Sequence, residues 1–427
     1  MEKYLWTLGV DWGSMNHQAC ILDDEGRVRG ERSFPHGGEG LRELVGWTLR
    51  QTKSAPEGIG VAIETPHGPV VEAVMEAGFD LHSLNPKQLD RFRDRHSPAG
   101  AKDDRRDARV LADALRTDPK AFHKQAPFDE NTVILRALSR TASDLTTTKN
   151  QLANKIRDYL WRYYPQMLEV ESDLAKPWVR QLWELVPTPE KAKRIQTRTV
   201  AKLLTKNRVR RISAEKILEI LRSTPLNVGP GTLEGAQTVL QALFNQLEVV
   251  VDELKALDRR IKETTERMSS AAQSDGDGDA QARTEDGTPS QTPIDDVTIL
   301  RSVPGIGIVV LAILLSEASE ALRNRDRRAL RCLAGVAPVP KRSGKRNFVT
   351  RRMAVHPRLR DAVYYWAFAA VQRDETLKRK YHSLRQRGHT HGRALRSIAD
   401  RLISVLCAML RNRTTYDKSM RGANAAN

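Results

Sequence analysis

The chain has 427 residues, enough for two or three domains with cores of their own, and its 70 Lys and Arg against 53 Asp and Glu give a formal charge of +17. That balance favours nucleic acid or an anionic membrane surface as partner. No run of eighteen apolar residues is present, and Met1-Glu-Lys-Tyr-Leu-Trp6 leads straight into a strand pattern. Both facts argue against a membrane partner and for a cytoplasmic, nucleoid-associated protein. Cys20, Cys332 and Cys407 stand apart with no CxxC spacing, so neither a disulfide framework nor a zinc site is expected.

Residues 1–125 alternate between short apolar runs and amphipathic stretches. Strands are expected at 4–10, 17–23, 27–34, 58–64 and 80–84, with Asp23-Asp-Glu-Gly26 turning the second into the third. Helical spacing fills 38–53, 67–77, 86–95 and 104–116. Three strands joined by short turns, followed by alternating helix and strand, make a mixed α/β sheet with helices on its faces. The order matches the ribonuclease-H-like arrangement, in which acidic residues of the first and fourth strands meet at the centre of the sheet.

Residues 126–270 read as almost wholly helical. Apolar residues recur at three-and-four spacing from Ile134 to Tyr164, and again over 232–268 through Leu240, Leu243, Leu247, Val250, Leu254, Leu257 and Ile261. Two long amphipathic helices suggest an antiparallel coiled-coil arm or bundle, serving as an internal scaffold or as a multimerisation arm. Between them, the basic runs 191–199 and 206–211 are expected to meet phosphates. Residues 271–294 carry almost no apolar side chains and read as a flexible linker; their alternating Asp-Gly lacks the closing Glu of an EF-hand.

From 295 to 427 the chain is helical and strongly basic. Val303-Pro-Gly-Ile-Gly-Ile308 resembles a helix-hairpin-helix element, in which Gly305 and Gly307 would let backbone N–H groups approach a phosphate. Leu333-Ala-Gly-Val-Ala-Pro338 follows, and then a loop in which Lys341, Arg342, Lys345 and Arg346 bracket Ser343 and are expected to touch nucleic acid. Helices are expected at 356–372, 375–387 and 391–412. His389 and His391 lack a third metal ligand and read as surface or phosphate-contacting residues.

Four acids carry the candidate chemistry. Asp11 closes the apolar run that begins at Tyr4, and Glu64 ends a second one, where an unpaired charge is costly. Asp104 and Asp107 stand three apart and share a helical face. Gathered carboxylates repel, at about 4 kcal/mol per pair about 4 Å apart in an effective dielectric of about 20, unless a cation sits among them. Hard oxygen ligands suit Mg²⁺, and two such ions can hold a phosphodiester for in-line displacement. On spacing alone Asp104 and Asp107 equally fit a solvated face, since Arg105, Arg106 and Arg109 interleave with them. Val10-Asp-Trp-Gly-Ser14 also resembles the first phosphate loop of sugar-kinase and actin-like ATPases, yet no second glycine-rich phosphate loop follows. Ser343, among clustered cations, fits either a basic solvent loop or a nucleophile that attacks a phosphodiester and holds it covalently.

Taken in order, Gly9-Val-Asp-Trp-Gly-Ser-Met-Asn-His17, Ala62-Ile-Glu-Thr-Pro-His-Gly68, Asn85-Pro-Lys-Gln-Leu89 and Ala101-Lys-Asp-Asp-Arg-Arg-Asp-Ala-Arg-Val-Leu-Ala112 resemble the N-terminal domain of the DEDD transposases of insertion sequences, the IS one-ten family of RNA-guided serine recombinases. Val303-Pro-Gly-Ile-Gly307, Leu333-Ala-Gly-Val-Ala-Pro338, Arg342-Ser-Gly344 and Leu359-Arg-Asp-Ala362 resemble the same family's C-terminal transposase domain. The resemblance implies a RuvC-like catalytic domain at 1–125, a helical coiled-coil insert at 126–270, a linker at 271–294 and a helical transposase domain at 295–427. It implies that Asp11, Glu64, Asp104 and Asp107 bind Mg²⁺, as two ions, with Mn²⁺ as a substitute. Ser343 would form a transient phosphoserine link to DNA. Further implied are double-stranded donor and target DNA, a structured guide RNA, and a homo-oligomer, dimer or tetramer, whose active sites combine two subunits. The family's usual Lys-Thr-Asp stands here as Lys102-Asp103-Asp104, which adds a fifth carboxylate.

The expected function is therefore excision and insertion of DNA through serine-mediated strand exchange. Two rivals remain at this level: a hydrolytic junction nuclease that needs the acids but not Ser343, and a non-catalytic architectural DNA-binding protein.

Overall fold

A computed structural model describes residues 4–64, 66–96, 103–125, 129–277, 294–343 and 346–417. The chain divides into two compact units, Met1–Phe128 and Asp129–Asn427.

The first unit is a six-stranded sheet. Its strands are β1 (Trp6–Trp12), β2 (Asn16–Asp23), β3 (Val28–Pro35), β4 (Ile59–Ile63), β5 (Asp80–Ser83) and β6 (His123–Lys124), in the spatial order β3-β2-β1-β4-β5-β6. β1, β2 and β3 form an antiparallel meander, while β4 and β5 run parallel to β1. The short edge strand β6 is an addition to the elements expected from sequence. Its pairing with β5 spans only His82↔Lys124 and Ser83↔His123, too short to leave a periodic signal.

Period-two alternation sorts the strand residues onto two faces. Leu8, Val10, Ala19, Ile21, Ile59, Val61 and Ile63 pack under α1 (Gly38–Thr52) and α2 (Pro69–Glu76), which supply Leu41, Leu44, Trp47, Val70 and Val74. On the other face Cys20, Leu22 and Ala62 meet α4 (Asp104–Thr117), with α3 (Pro86–His96) beside it. Burying each of these aliphatic side chains contributes about 1.5–3 kcal/mol.

The second unit is helical. α5 (Glu130–Tyr163) and α11 (Pro230–Asp277) are the two long amphipathic helices, and α11 runs seven residues past the expected boundary at 270. They pack antiparallel. Leu135, Leu138 and Ala142 of α5 share one core with Ile261 of α11, whereas Leu152, Ile156 and Leu160 share another with Leu240, Leu243, Phe244 and Leu247. The second of these cores is completed by five short helices, where sequence showed only a basic segment: α6 (Gln166–Val170), α7 (Pro177–Leu185), α8 (Pro189–Arg194), α9 (Thr197–Lys206) and α10 (Ala214–Leu221). Trp183 Nε1 donates to the Tyr163 hydroxyl at 2.7 Å, and Tyr163 donates to the Pro187 carbonyl at 3.1 Å. Burial pushes that phenol up to about 12. The basic residues Lys191, Lys193, Arg194, Arg208 and Arg210 stay on the outside.

The first core belongs to the C-terminal helices: α12 (Asp296–Ser302), α13 (Ile308–Glu317), α14 (Ser319–Arg323), α15 (Arg327–Leu333), α16 (Pro357–Arg373), α17 (Glu375–Gln386) and α18 (His391–Asn412). α13 lies at its centre, with Leu311 to Ser316 all buried. The expected loop 341–346 is instead part of a hairpin, β7 (Val339–Ser343) with β8 (Arg346–Thr350). Of the expected linker, residues 278–293 lie outside the described residues. No helix among the described residues is long and apolar enough to cross a membrane.

Candidate active site

Three elements converge on the α4 face of the sheet. Val10 and Ile63 are register partners on the adjacent parallel strands β1 and β4, so Asp11 and Glu64 are the next residue on each. Asp11 shares the sheet face of Gly9, and Glu64 that of Ala62, by period-two alternation; this is the face α4 covers. Gly9 is what lets α4 come so close. A Cβ there would lie 1.9 Å from the Ala108 carbonyl oxygen and 2.7 Å from the Ala112 nitrogen. A glycine inside a strand marks such a close backbone approach, so this signal was available in the sequence. With Ala108 lying over Gly9, the preceding Asp107 is wholly buried beside the strand.

Asp104 is exposed and opens α4, and Asp103 is its N-cap, accepting from the Arg105 backbone N–H at 3.3 Å. The fifth carboxylate thus has a structural use of its own. It satisfies an N–H that the first helical turn leaves without a partner.

The residue that sequence reasoning missed is Arg93 on α3. Its Nε and Nη2 donate to the two oxygens of Asp107 at 2.6 and 2.8 Å, and its Nη1 to Asp90 at 2.5 Å. Burial works against the charged guanidinium, but Asp107, Asp90 and Glu64 together hold its pKa above the ordinary value. Only the Asp90–Arg93 spacing was legible beforehand, as a surface pair three residues apart. Among the described residues no three acidic, His or Cys side chains stand close enough together to hold one metal ion in common. The donor chemistry nonetheless suits a hard divalent cation, since all four acids offer oxygen alone. A cationic group, the Arg93 guanidinium, already sits against Asp107.

Ser343 lies in the other unit. It ends β7 and pairs with Arg346 across the hairpin; its side chain, those of Lys341 and Arg346, and the whole of Lys345 lie outside the described residues. Arg342 is exposed. The Pro-Gly-Ile-Gly turn has two distinct glycines. Gly305 has a φ of +88°, and a Cβ there would meet the Ala370 nitrogen at 2.7 Å and the Trp366 carbonyl at 2.8 Å, so its smallness seats the turn on α16. Trp366 Nε1 fastens that contact by donating to the Pro304 carbonyl at 3.0 Å. Gly307 is exposed at the N-terminus of α13, lining one cleft with Arg259, Lys262 and Arg301.

Comparison with known proteins finds family matches in both units of the chain. Residues 8–165 match a model of DEDD transposases of the IS110 type, described as transposase, and residues 297–382 match a model described as the transposase IS116/IS110/IS902 family. Over 208 residues the chain is 54% identical to a candidate transposase, y4uE, of Sinorhizobium fredii, a match spanning 48% of this chain and 58% of that one. It is 30% identical to the candidate mini-circle transposase for IS117 of Streptomyces coelicolor, over 96% of this chain and 95% of the relative. An IS110 insertion-element protein of 43.6 kDa from the same organism is 27% identical, over 97% and 96% of the two chains.

Proposed function

Because this chain belongs to the IS116/IS110/IS902 family of insertion-element transposases, enzymes that act on DNA, we propose that it cuts and rejoins DNA through the acidic face of the first unit and Ser343 of the second. The observation that carries this reading is the meeting of β1, β4 and α4 around Asp11, Glu64 and a buried Asp107, with Asp104 at the head of the same helix. An architectural protein has no need to gather acids from two strand ends and a helix head on one sheet face, whereas a divalent-cation site does.

Asp11, Glu64, Asp104 and Asp107 would hold Mg²⁺, or Mn²⁺ in its place, which when bound would stabilise charge on the phosphate oxygens. The bond changes belong to the chain's own hydroxyl. The Ser343 oxygen attacks the phosphorus, an Oγ–P bond forms, and the bond from phosphorus to one bridging oxygen breaks. The proton that leaves Ser343 balances the one gained by the released strand hydroxyl. A second strand's hydroxyl then attacks the phosphoserine, its O–P bond replaces the serine's, and Ser343 regains a proton. One phosphodiester is broken and one made, so no nucleotide hydrolysis is needed. Arg342 and the neighbouring cations of the hairpin would steady the negative phosphate. A structured guide RNA and a homo-oligomer, in which one subunit's acids serve another's serine, complete the proposal.

The test is covalent trapping. Protein, RNA from the flanking element, Mg²⁺ and end-labelled donor DNA are mixed and resolved on a denaturing gel. A protein-linked band that disappears in Ser343→Ala, and in Asp11→Ala, supports the reading. Cut DNA without linked protein, unchanged by Ser343→Ala, would replace it with a hydrolytic nuclease.

A further inference from the structure

Helix α16 buries Leu359, Val363, Trp366 and Ala370, yet it also carries three aromatic rings on its outer side. Tyr364, Tyr365 and Phe368 are 36%, 64% and 42% exposed. Spacings of three and four residues put them on one strip. The strip is held in place rather than loose. His391 joins the Tyr364 hydroxyl through Nε2 at 3.1 Å and the Tyr381 hydroxyl through Nδ1 at 2.7 Å. Its ring meets those of Tyr364 and Phe368 edge to face, with centroids 6.2 and 6.4 Å apart. Packing of the unit's own core does not call for this second apolar face.

The charge beside the strip on the α17 and α18 side is predominantly positive. From Lys378 to Arg396 the chain has seven Lys and Arg and no acid. Tyr364 shares a cleft with Arg351 and Arg396, and these two arginines line the adjoining cleft with Arg352 and Arg393. The acids in the two clefts are already engaged, Asp361 by Arg360 at 2.7 and 2.9 Å and Asp400 by Arg331 at 2.5 and 3.0 Å. Arg352 Nε is buried and has no hydrogen-bond partner among the described residues. A buried guanidinium N–H left in that state is costly until an acceptor arrives. Arg396 is held below the usual guanidinium range by burial and by Arg351 and Arg393 facing it.

We infer that α16, α17 and α18 form a binding platform for an unpaired DNA strand, its phosphates in the arginine clefts and its bases on Tyr365 and Phe368. Aromatic faces stack on base faces, which a duplex keeps covered within its own stack, and a row of cations beside such rings follows the backbone of a single strand. A protein partner is the poorer fit, because the cores of protein interfaces are depleted in charge. DNA is the polymer on which the family acts, and strand exchange requires DNA to be unpaired. The inference rests on that membership and on the strand exchange proposed above, and not on which residues carry the chemistry.

The test uses the full chain and a short, mixed-sequence fluorescein-labelled oligodeoxynucleotide, with binding read by anisotropy across a salt series. Tyr365→Ala/Phe368→Ala should weaken single-strand binding roughly 5- to 150-fold for each stacked base lost. The salt slope should stay as it is and duplex binding should stay within about twofold. Arg352→Ala/Arg393→Ala should instead flatten the salt slope, by roughly 0.7 for each phosphate contact removed. Circular dichroism of the aromatic double variant serves as the control, and retained folding is expected because both rings are exposed. An unchanged single-strand affinity, or an equal loss for duplex, would overturn the platform. So would tighter binding of the matching RNA strand, which would reassign the occupant. Conversion of an oligomer to a smaller species on sedimentation with strand affinity intact would make the strip a contact between copies of the chain.

Discussion

Arg93 donates to both carboxylate oxygens of Asp107, and Asp107 has no exposure to solvent of its own. The pair links α3 to the head of α4, and so links the helix carrying two candidate acids to the element beside it. In the absence of any other cation, this guanidinium keeps a buried charge compensated.

Arg93→Ala should therefore leave Asp107 charged, buried and unpaired. Removing one partner of a buried pair costs about 3–5 kcal/mol, and Arg93's partial exposure lowers the expectation to about 2–3 kcal/mol. Urea unfolding would measure it. Adding Asp107→Asn to Arg93→Ala should return much of the loss, because the stranded charge is gone. If the pocket takes a divalent ion, millimolar Mg²⁺ should raise the unfolding midpoint of Arg93→Ala more than that of the wild type.

The two adjacent carboxylates at the start of α4 should separate cleanly. Asp103→Ala removes an N-cap and should cost about 1 kcal/mol in stability while strand cleavage persists. Asp104→Ala should leave stability within about 0.5 kcal/mol, as for an exposed surface position, and abolish cleavage. The reverse outcome in a paired unfolding and cleavage assay would exchange their roles.

Gly9→Ala places a methyl carbon against the Ala108 carbonyl, at a distance no real contact allows. α4 would have to lift from β1, carrying Asp107 with it. A cost of about 3 kcal/mol or more is expected, with loss of cleavage even where folded protein is recovered. An alanine variant of wild-type stability would show that α4 does not lie over the strand as described.

Much of the first unit was legible because its signals are local. Strand ends fell within two residues of expectation, since Leu8, Val10, Ile21 and Val61 alternate with the residues that face α4, and Gly26 supplies the turn between β2 and β3 at φ +85°. The adjacency of β1 and β4, which carry Asp11 and Glu64 at their ends, was expected from the likeness of the strand order to the ribonuclease-H-like arrangement. What local pattern cannot carry is a pairing across elements. Arg93 gave no sign that it would reach Asp107, fourteen residues on, and Gly305 gave none that its missing side chain would seat the turn on α16. The helices α6 to α10 were hidden for another reason: runs of five to ten residues are too short for a helical period to rise above a basic composition.

Acid sensitivity should come from one buried cluster in the second unit. Glu317 at the end of α13 is 4% exposed and accepts from Arg140 of α5 at 2.6 and 2.9 Å, with Arg136 and His356 also facing it. Burial favours its neutral form, but Arg140 and the other two cationic groups prevail and hold its pKa below the ordinary 4.5. Its contribution is then complete above about pH 4.5 and lost as pH falls through the lower folded value. His356 is depressed below 6.5, chiefly by burial, so it adds an earlier loss that begins as pH falls below 6.5. Glu317→Gln should cost about 2 kcal/mol at pH 7 and flatten the acid limb below pH 4.5 while sparing the earlier one. Unfolding midpoints recorded from pH 8 to pH 4 would show both.

The long helices α5 and α11 each run from the C-terminal core to the outer core. On α5 the last fully buried residue of the C-terminal core is Ala142 and the first of the outer core is Leu152; on α11 the corresponding residues are Ile261 and Leu247, with Leu254 and Leu257 packed, partly buried, on the first core and Val250 and Val251 on the second. Between those anchors the pair behaves as a ruler. Removing seven residues from each helix within that stretch keeps the facing stripes in phase to about 20°, spares every fully buried residue of both cores and draws them about 10 Å closer, at the expense of partly buried contacts made by Val250, Val251, Leu254 or Leu257. The separation between the two cores is thus a length that changes in two-turn steps with only the partly buried contacts of α11 to be rebuilt. Helix length alone would then set the distance between the two cores in chains of this build.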